Sequence, residues 1–138
     1  MVKPKRGQIS VEYLVIIGFV TIVVIGILGL ALIYSGAIKD KIKISQVNSF
    51  ANKIISTAES VFYAGEPSKS TISVYLPENV EEILISENSL IISIQTSTGT
   101  NRISFSSKVP ISGSIGVFSG LKKIKIEADE EKVNISPA

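Results

Sequence analysis

The 138-residue sequence predicts an α+β fold: a long N-terminal α-helix of membrane-spanning character, followed by a small antiparallel all-β head. Three observations carry this reading. From Tyr13 to Ile38 run 26 consecutive uncharged residues, mostly Leu, Ile, Val, Phe and Ala. From Ile44 to Val61 apolar residues recur at three-four spacing, the signature of one helix face. After the segment GEPSKS the spacing drops to two and stays there to the end of the chain.

The apolar run, residues 8–38, comes first. As a helix, Tyr13 to Ile38 would extend about 39 Å at 1.5 Å per residue, enough to cross a bilayer core of about 30 Å. Three roles suit such a helix. It can be an uncleaved anchor. It can be a secretory signal, with Ser35-Gly36-Ala37 as a small-residue cleavage site, although a signal core normally holds about 7 to 15 residues. It can also be a helix first inserted in a membrane and later packed against copies of itself. Lys3, Lys5 and Arg6 before the run and Lys39, Lys41 and Lys43 after it nearly balance the positive-inside count. A cytoplasmic N-terminal tail is the favoured orientation. Gly18, Gly26, Gly29 and the pair Ala31 and Ser35 are small residues of the kind that allow close helix packing.

Residues 39–64 continue the helix in amphipathic form. Ile44, Val47, Ala51, Ile54, Ala58 and Val61 make the stripe, with Lys43, Asn48, Asn52, Lys53 and Glu59 elsewhere around the helix. The stripe is expected to pack on the protein's own head. Gly65 suits a C-terminal cap and Pro67 cannot easily continue a helix, so the helix should stop near Ala64.

Residues 65–138 read as six or seven short strands, in an antiparallel sheet or a small sandwich. Ile72, Val74 and Leu76 alternate in the first, Ile83 and Ile85 in the second, and Leu90, Ile92 and Ile94 in the third. Ile103 with Phe105, Ile115 with Val117, Ile124 with Ile126 and Val133 with Ile135 follow. Turn signals fall at Thr98-Gly99, Pro110, Ser112-Gly113, Ser119-Gly120 and Asp129-Glu130. LKKIKIEADEEKVNIS reads as a closing hairpin. A head of about 70 residues without disulfides has a marginal core on its own, so packing on the helix should help it.

Composition narrows the function. The formal charge is +2, but without residues 1–7 the chain has 11 basic and 12 acidic side chains, a net of −1. The basicity belongs to the N-terminal tail, which removes the electrostatic case for nucleic-acid binding. With no cysteine and no histidine, the chain has no thiol nucleophile, no thiolate site, and neither the commonest general base nor the commonest metal ligand. Glu81-Glu82 and the run from Glu127 to Glu131 are the only acidic clusters, and neither has a recognisable ligand spacing. No phosphate-binding glycine loop is present. The expectation is a protein that is not an enzyme and holds no cofactor or metal.

The remaining feature is a glutamate at the lip of the apolar run. Lys5-Arg6-Gly7 followed by Gln8-Ile9-Ser10-Val11-Glu12 resembles the class III signal peptide of archaeal type IV pilin-like proteins, a basic residue and glycine before Q-x-S-x-E-x-x-x-L. Gln8, Ser10 and Glu12 match in type and spacing, and Ile16 stands in the place of the leucine. The resemblance implies that a prepilin peptidase cuts the Gly7-Gln8 bond on the cytoplasmic side, removing the basic leader 1–7 and leaving the helix in place. It implies partners as well: identical or related pilin subunits in a surface filament, and an assembly platform driven by a cytoplasmic ATPase. It also implies a role for Glu12, meeting the new α-amine of Gln8 on a neighbouring subunit. The plainer role for Glu12 is to stabilise the positive N-terminus of its own helix. A membrane-anchored extracellular binding module that does not polymerise is the alternative. In the family, heads are often glycosylated, and Asn134-Ile135-Ser136 is an N-glycosylation sequon, with Pro137 restricting Ser136. Adhesion is a further family role for which the head offers no legible ligand site.

Overall fold

The structure, a computed structural model, describes residues 6–138, with side chains from Ser10 onward. One helix, α1 (Arg6–Ala64), precedes seven strands. They are β1 (Lys69–Leu76), β2 (Val80–Ser86), β3 (Ser89–Thr96), β4 (Gly99–Ser106), β5 (Ile111–Gly113), β6 (Gly120–Ala128) and β7 (Val133–Pro137). The chain divides between Ile38 and Lys39 into two compact units. The fold is α+β, a long apolar N-terminal helix followed by sheets in which antiparallel pairing dominates.

No proline interrupts α1. It ends where Gly65 takes φ +77°, a conformation that costs glycine little, and the Gly65 N–H bonds the Phe62 carbonyl at 3.0 Å. In the N-terminal unit every large apolar side chain from Val11 to Ile38 is exposed, on all sides of the helix. With no apolar face distinct from a polar one, this segment needs an apolar environment all round.

The second unit has its own core. β1, β6, β7 and β5 form one four-stranded sheet in that order, and β2, β3 and β4 form a three-stranded meander. Their inward rows are the alternating residues read from the sequence: Val74 and Leu76, Ile124 and Ile126, Val133 and Ile135, and Leu90, Ile92 and Ile94 are all buried. The stripe of α1 joins the same cluster through Val47, Ala51, Ile54, Ala58 and Val61. Phe50 and Ile55 widen it, so the buried face is broader than the three-four pattern indicated. The helix thus supplies core that the sheets lack, at roughly 25 cal/mol per Å² of apolar surface removed from water.

The structure corrects two strand expectations. Ile115 and Val117 are not in a strand: Ile115 is buried from a loop and Val117 is exposed. The strand lies earlier, at β5, and contains the Ser112-Gly113 pair expected to be a turn. Gly113 has φ +128°, and a Cβ there would lie 1.9 Å from the Ile135 carbonyl oxygen. This glycine marks a close approach of two backbones rather than a reversal. The second correction concerns direction. Four ladders are antiparallel, but β5 pairs with β7 in parallel, Ile111 opposite Val133 and Gly113 opposite Ile135. β6 runs back between them in sequence, so the third strand of the trio runs in the direction of the first.

The closing hairpin forms as expected. β6 and β7 pair from Ala128↔Val133 to Ile124↔Pro137, and the Asp129 N–H bonds the Lys132 carbonyl at 2.8 Å. On the meander, Glu82 and Arg102 both stand opposite Ser93 and bridge over it at 3.1 Å, which is why a serine on that face is buried.

Candidate processing and assembly segment

The segment that holds the candidate site residues is the start of α1. Lys5 lies outside the described residues. Arg6, Gly7 and Gln8 are placed by their helical backbone alone. Ser10 and Glu12 are exposed. The helical backbone sets Gln8 and Glu12 one turn apart on one face. The Gly7-Gln8 peptide therefore lies in the first turn of α1. The first four N–H groups of a helix have no partner within it, so this turn is the part of α1 that unwinds at least cost.

Glu12 stands near the start of a long series of exposed side chains that opens, among those described, with Ser10 and Val11. Val15, Phe19, Ile22 and Ile33, at 65%, 68%, 72% and 74% exposure, exceed anything a soluble monomer would display in a continuous band. The span is long and apolar enough to cross a membrane. Thr21, within it, returns its hydroxyl to the Ile17 carbonyl at 2.7 Å and so carries no unpaired polar group. A Cβ built on Gly18, Gly26 or Gly29 would meet nothing within 4 Å. Among the described residues nothing requires these positions to be small.

Beyond the span the structure brings together groups that the sequence reading did not connect. Asp40 accepts hydrogen bonds from the Ser97 hydroxyl and from the Ser97 N–H at 3.0 Å, tying the β3–β4 turn to α1. The Ser97 hydroxyl and then its N–H hold the Asp40 carboxyl below the usual aspartate range, against an opposing effect of desolvation, and the Lys43 charge adds a smaller lowering. Glu59, read as one of the polar residues around the helix, accepts the Lys108 N–H at 3.1 Å. Two carboxylates of α1 thus cap loops of the meander. The one available signal was that Asp40 is the lone acid among the lysines that follow the apolar run.

The acidic clusters do not converge on a ligand site. Glu82 pairs with Arg102 and Glu127 with Lys125, at 3.1 and 2.6 Å. Among the described residues no group of His, Cys, Asp or Glu is disposed to hold a metal. Asn134 is exposed, but it lies within β7, its backbone between β6 and β5.

Residues 5–36 match a family model, the Class III signal peptide. No curated protein and no solved structure matches the chain. The match covers Lys5-Arg6-Gly7 at the end of the basic leader, the Gln8-Ser10-Glu12 pattern and nearly all of the apolar run. It implies processing by a prepilin peptidase and assembly of the pilin type in general, and together with the apolar helix it fits a type IV pilin-like subunit. The chain carries a Class III signal peptide, the signature of type IV pilin-like proteins.

Proposed function

We propose that this protein is a structural subunit of a type IV pilus-like surface filament and not an enzyme. It enters the cytoplasmic membrane as a precursor, loses residues 1–7 at Gly7-Gln8, and polymerises with identical or related subunits through α1. A prepilin peptidase, an assembly platform and its ATPase are the partners this reading requires. The single observation that supports it most is the all-round apolar exposure of α1 from Val11 to Ile38 directly behind a Class III signal peptide. Lipid satisfies that surface in the precursor, and neighbouring helices satisfy it in the filament.

Glu12 has a purpose in this scheme. Cleavage removes Lys3, Lys5 and Arg6 and creates an α-amine on Gln8, after which the next basic side chain along the chain is Lys39. A carboxylate entering an apolar bundle is tolerable only when paired. The Gln8 amine of an adjacent copy is the partner that filament growth delivers.

The test is the N-terminus of the mature protein together with filament recovery from sheared cells. A start at Gln8 in a pelletable polymer is expected. A start at Met1 in a monomer would establish the anchored binding module instead, and a start at Ile38 would refute both. Glu12→Ala is expected to be processed normally and to leave filaments depleted at least about tenfold, about 1.4 kcal/mol or more of lost pairing. Normal filament yield from Glu12→Ala would remove Glu12 from assembly.

A further inference from the structure

Strand β6 is polarised along its length. Phe118, in the loop just before it, and Leu121, at its start, are 82% and 73% exposed, far more than side chains of this size usually are in a folded head. Tyr75, the register partner of Leu121, is a third exposed apolar side chain at the same end. Phe118 and the ammonium of Lys122 both fold over Gly116, 3.9 and 3.8 Å from the position of a Cβ there. Phe118 lines a recess with Lys122 and Lys123 that contains no carboxylate.

The other end of the strand has the opposite character. Glu127, Asp129, Glu130 and Glu131 gather at the turn into β7, and Glu66 lies across from them. With Glu127 paired to Lys125, this end holds four further carboxylates, Glu66, Asp129, Glu130 and Glu131, against the ammonium groups of Lys69 and Lys132. A recess of about 290 Å³ opens there, lined by Glu66, Pro67, Glu127, Ala128, Asp129 and Asn134. Lys125 and Glu127 pair at 2.6 Å, so the excess negative charge of this end lies on Glu66 and on Asp129 to Glu131. Nine strand residues separate the ends by roughly 27 Å, so they cannot meet within one chain.

We propose that the two ends meet between chains: the Phe118–Lys123 end of one head seats on the acidic recess at the β6–β7 turn of the next copy. This rests on the filament reading above. Charge complementarity selects a second copy as the occupant, since the chain itself carries the matching surface. The two patches differ, so the contact is heterologous. Such a contact does not close on itself as a dimer but propagates. Phe118 and Leu121 supply the apolar anchor, and Lys122 and Lys123 fix the register on Asp129 to Glu131.

The chain lacks cysteine, which permits a clean test on the full-length protein in cells that assemble it. Phe118→Cys combined with Glu130→Cys should yield, on mild oxidation, a ladder of cross-linked species, and either change alone should yield none. Dimers from Phe118→Cys alone would show a face-to-face contact and overturn the proposal. So would wild-type filaments with no ladder from the double variant, including the case where Phe118 is found against lipid. Independently, Lys122→Glu with Lys123→Glu should deplete filaments, and adding Glu130→Lys with Glu131→Lys should restore them. Failure of that rescue, or a glycan on Asn134 filling the recess in assembled protein, overturns the contact. A wild-type chain that remains monomeric overturns the filament reading and this contact with it.

Discussion

Ile33 and Ile54 stand in one helix and would lose the same three carbons on substitution by alanine, yet they should behave oppositely. Ile54 has no exposed surface and sits in the core between α1 and the sheets. Three carbons at about 0.8 kcal/mol each give about 2.4 kcal/mol, and the cavity left behind raises the expected loss for Ile54→Ala to about 3–4 kcal/mol. For a unit of this size that lowers the midpoint of thermal unfolding by roughly 12–30 °C. Ile33 is 74% exposed, so Ile33→Ala removes no intramolecular contact of the folded head. Its head should unfold within about 0.5 kcal/mol of wild type. The assay is heat unfolding of the processed protein in detergent micelles, followed by the loss of β-sheet dichroism. A loss below about 1 kcal/mol for Ile54→Ala would refute the assignment of the amphipathic stripe to the head core. An equal loss for both variants would refute the division of α1 into two packing regimes.

Gly113→Ala should destabilise the head by about 3 kcal/mol in the same unfolding assay, because a Cβ would overlap the Ile135 carbonyl and the positive φ adds strain. The Asp40 tether predicts a pH dependence. The folded-state carboxyl titrates below its usual 3.8, so its stabilisation is complete above that pH and is lost as pH falls through the lower folded-state value. Asp40→Asn should therefore flatten the acid limb of a stability–pH profile and leave the profile at pH 7 to 9 parallel to wild type. Gly26→Leu meets no neighbour within the chain, so insertion and processing should proceed, while filament yield falls if the glycine is a site of close helix approach. Unchanged yield would show that no subunit packs there.

The sequence was most informative where one residue type has one physical use. Gly65 followed by Pro67 marked the end of α1 because few other residues close a helix in that way. The period-two rows of β1, β3, β6 and β7 were legible because each of those strands has one face on the core. The second glycine signal misled for an equally definite reason: Gly113 is needed for close backbone approach inside a ladder, and composition does not distinguish that need from a turn. The parallel β5–β7 pair was not legible because three residues carry too little pattern to fix a partner. The Class III signal peptide was legible from its residue types and spacing. The Asp40–Ser97 and Glu59–Lys108 tethers were not, because each joins residues 57 and 49 positions apart.

The order of strands also determines when the head can exist. β2, β3 and β4 are joined by short turns and can pair as soon as they are made, but β1 must wait for β6, with Lys69 opposite Glu127. Ala138 is engaged too, its N–H bonding the Lys123 carbonyl at 3.0 Å. Contacts this distant in sequence form late, because loop closure must be met before they contribute. During synthesis the apolar face of α1 from Val47 to Val61 therefore lacks its full cover until β6 and β7 have been made. A nascent chain held by its first apolar segment in a membrane is kept apart from its neighbours during that interval, and removing even the final strand should leave a head that never closes.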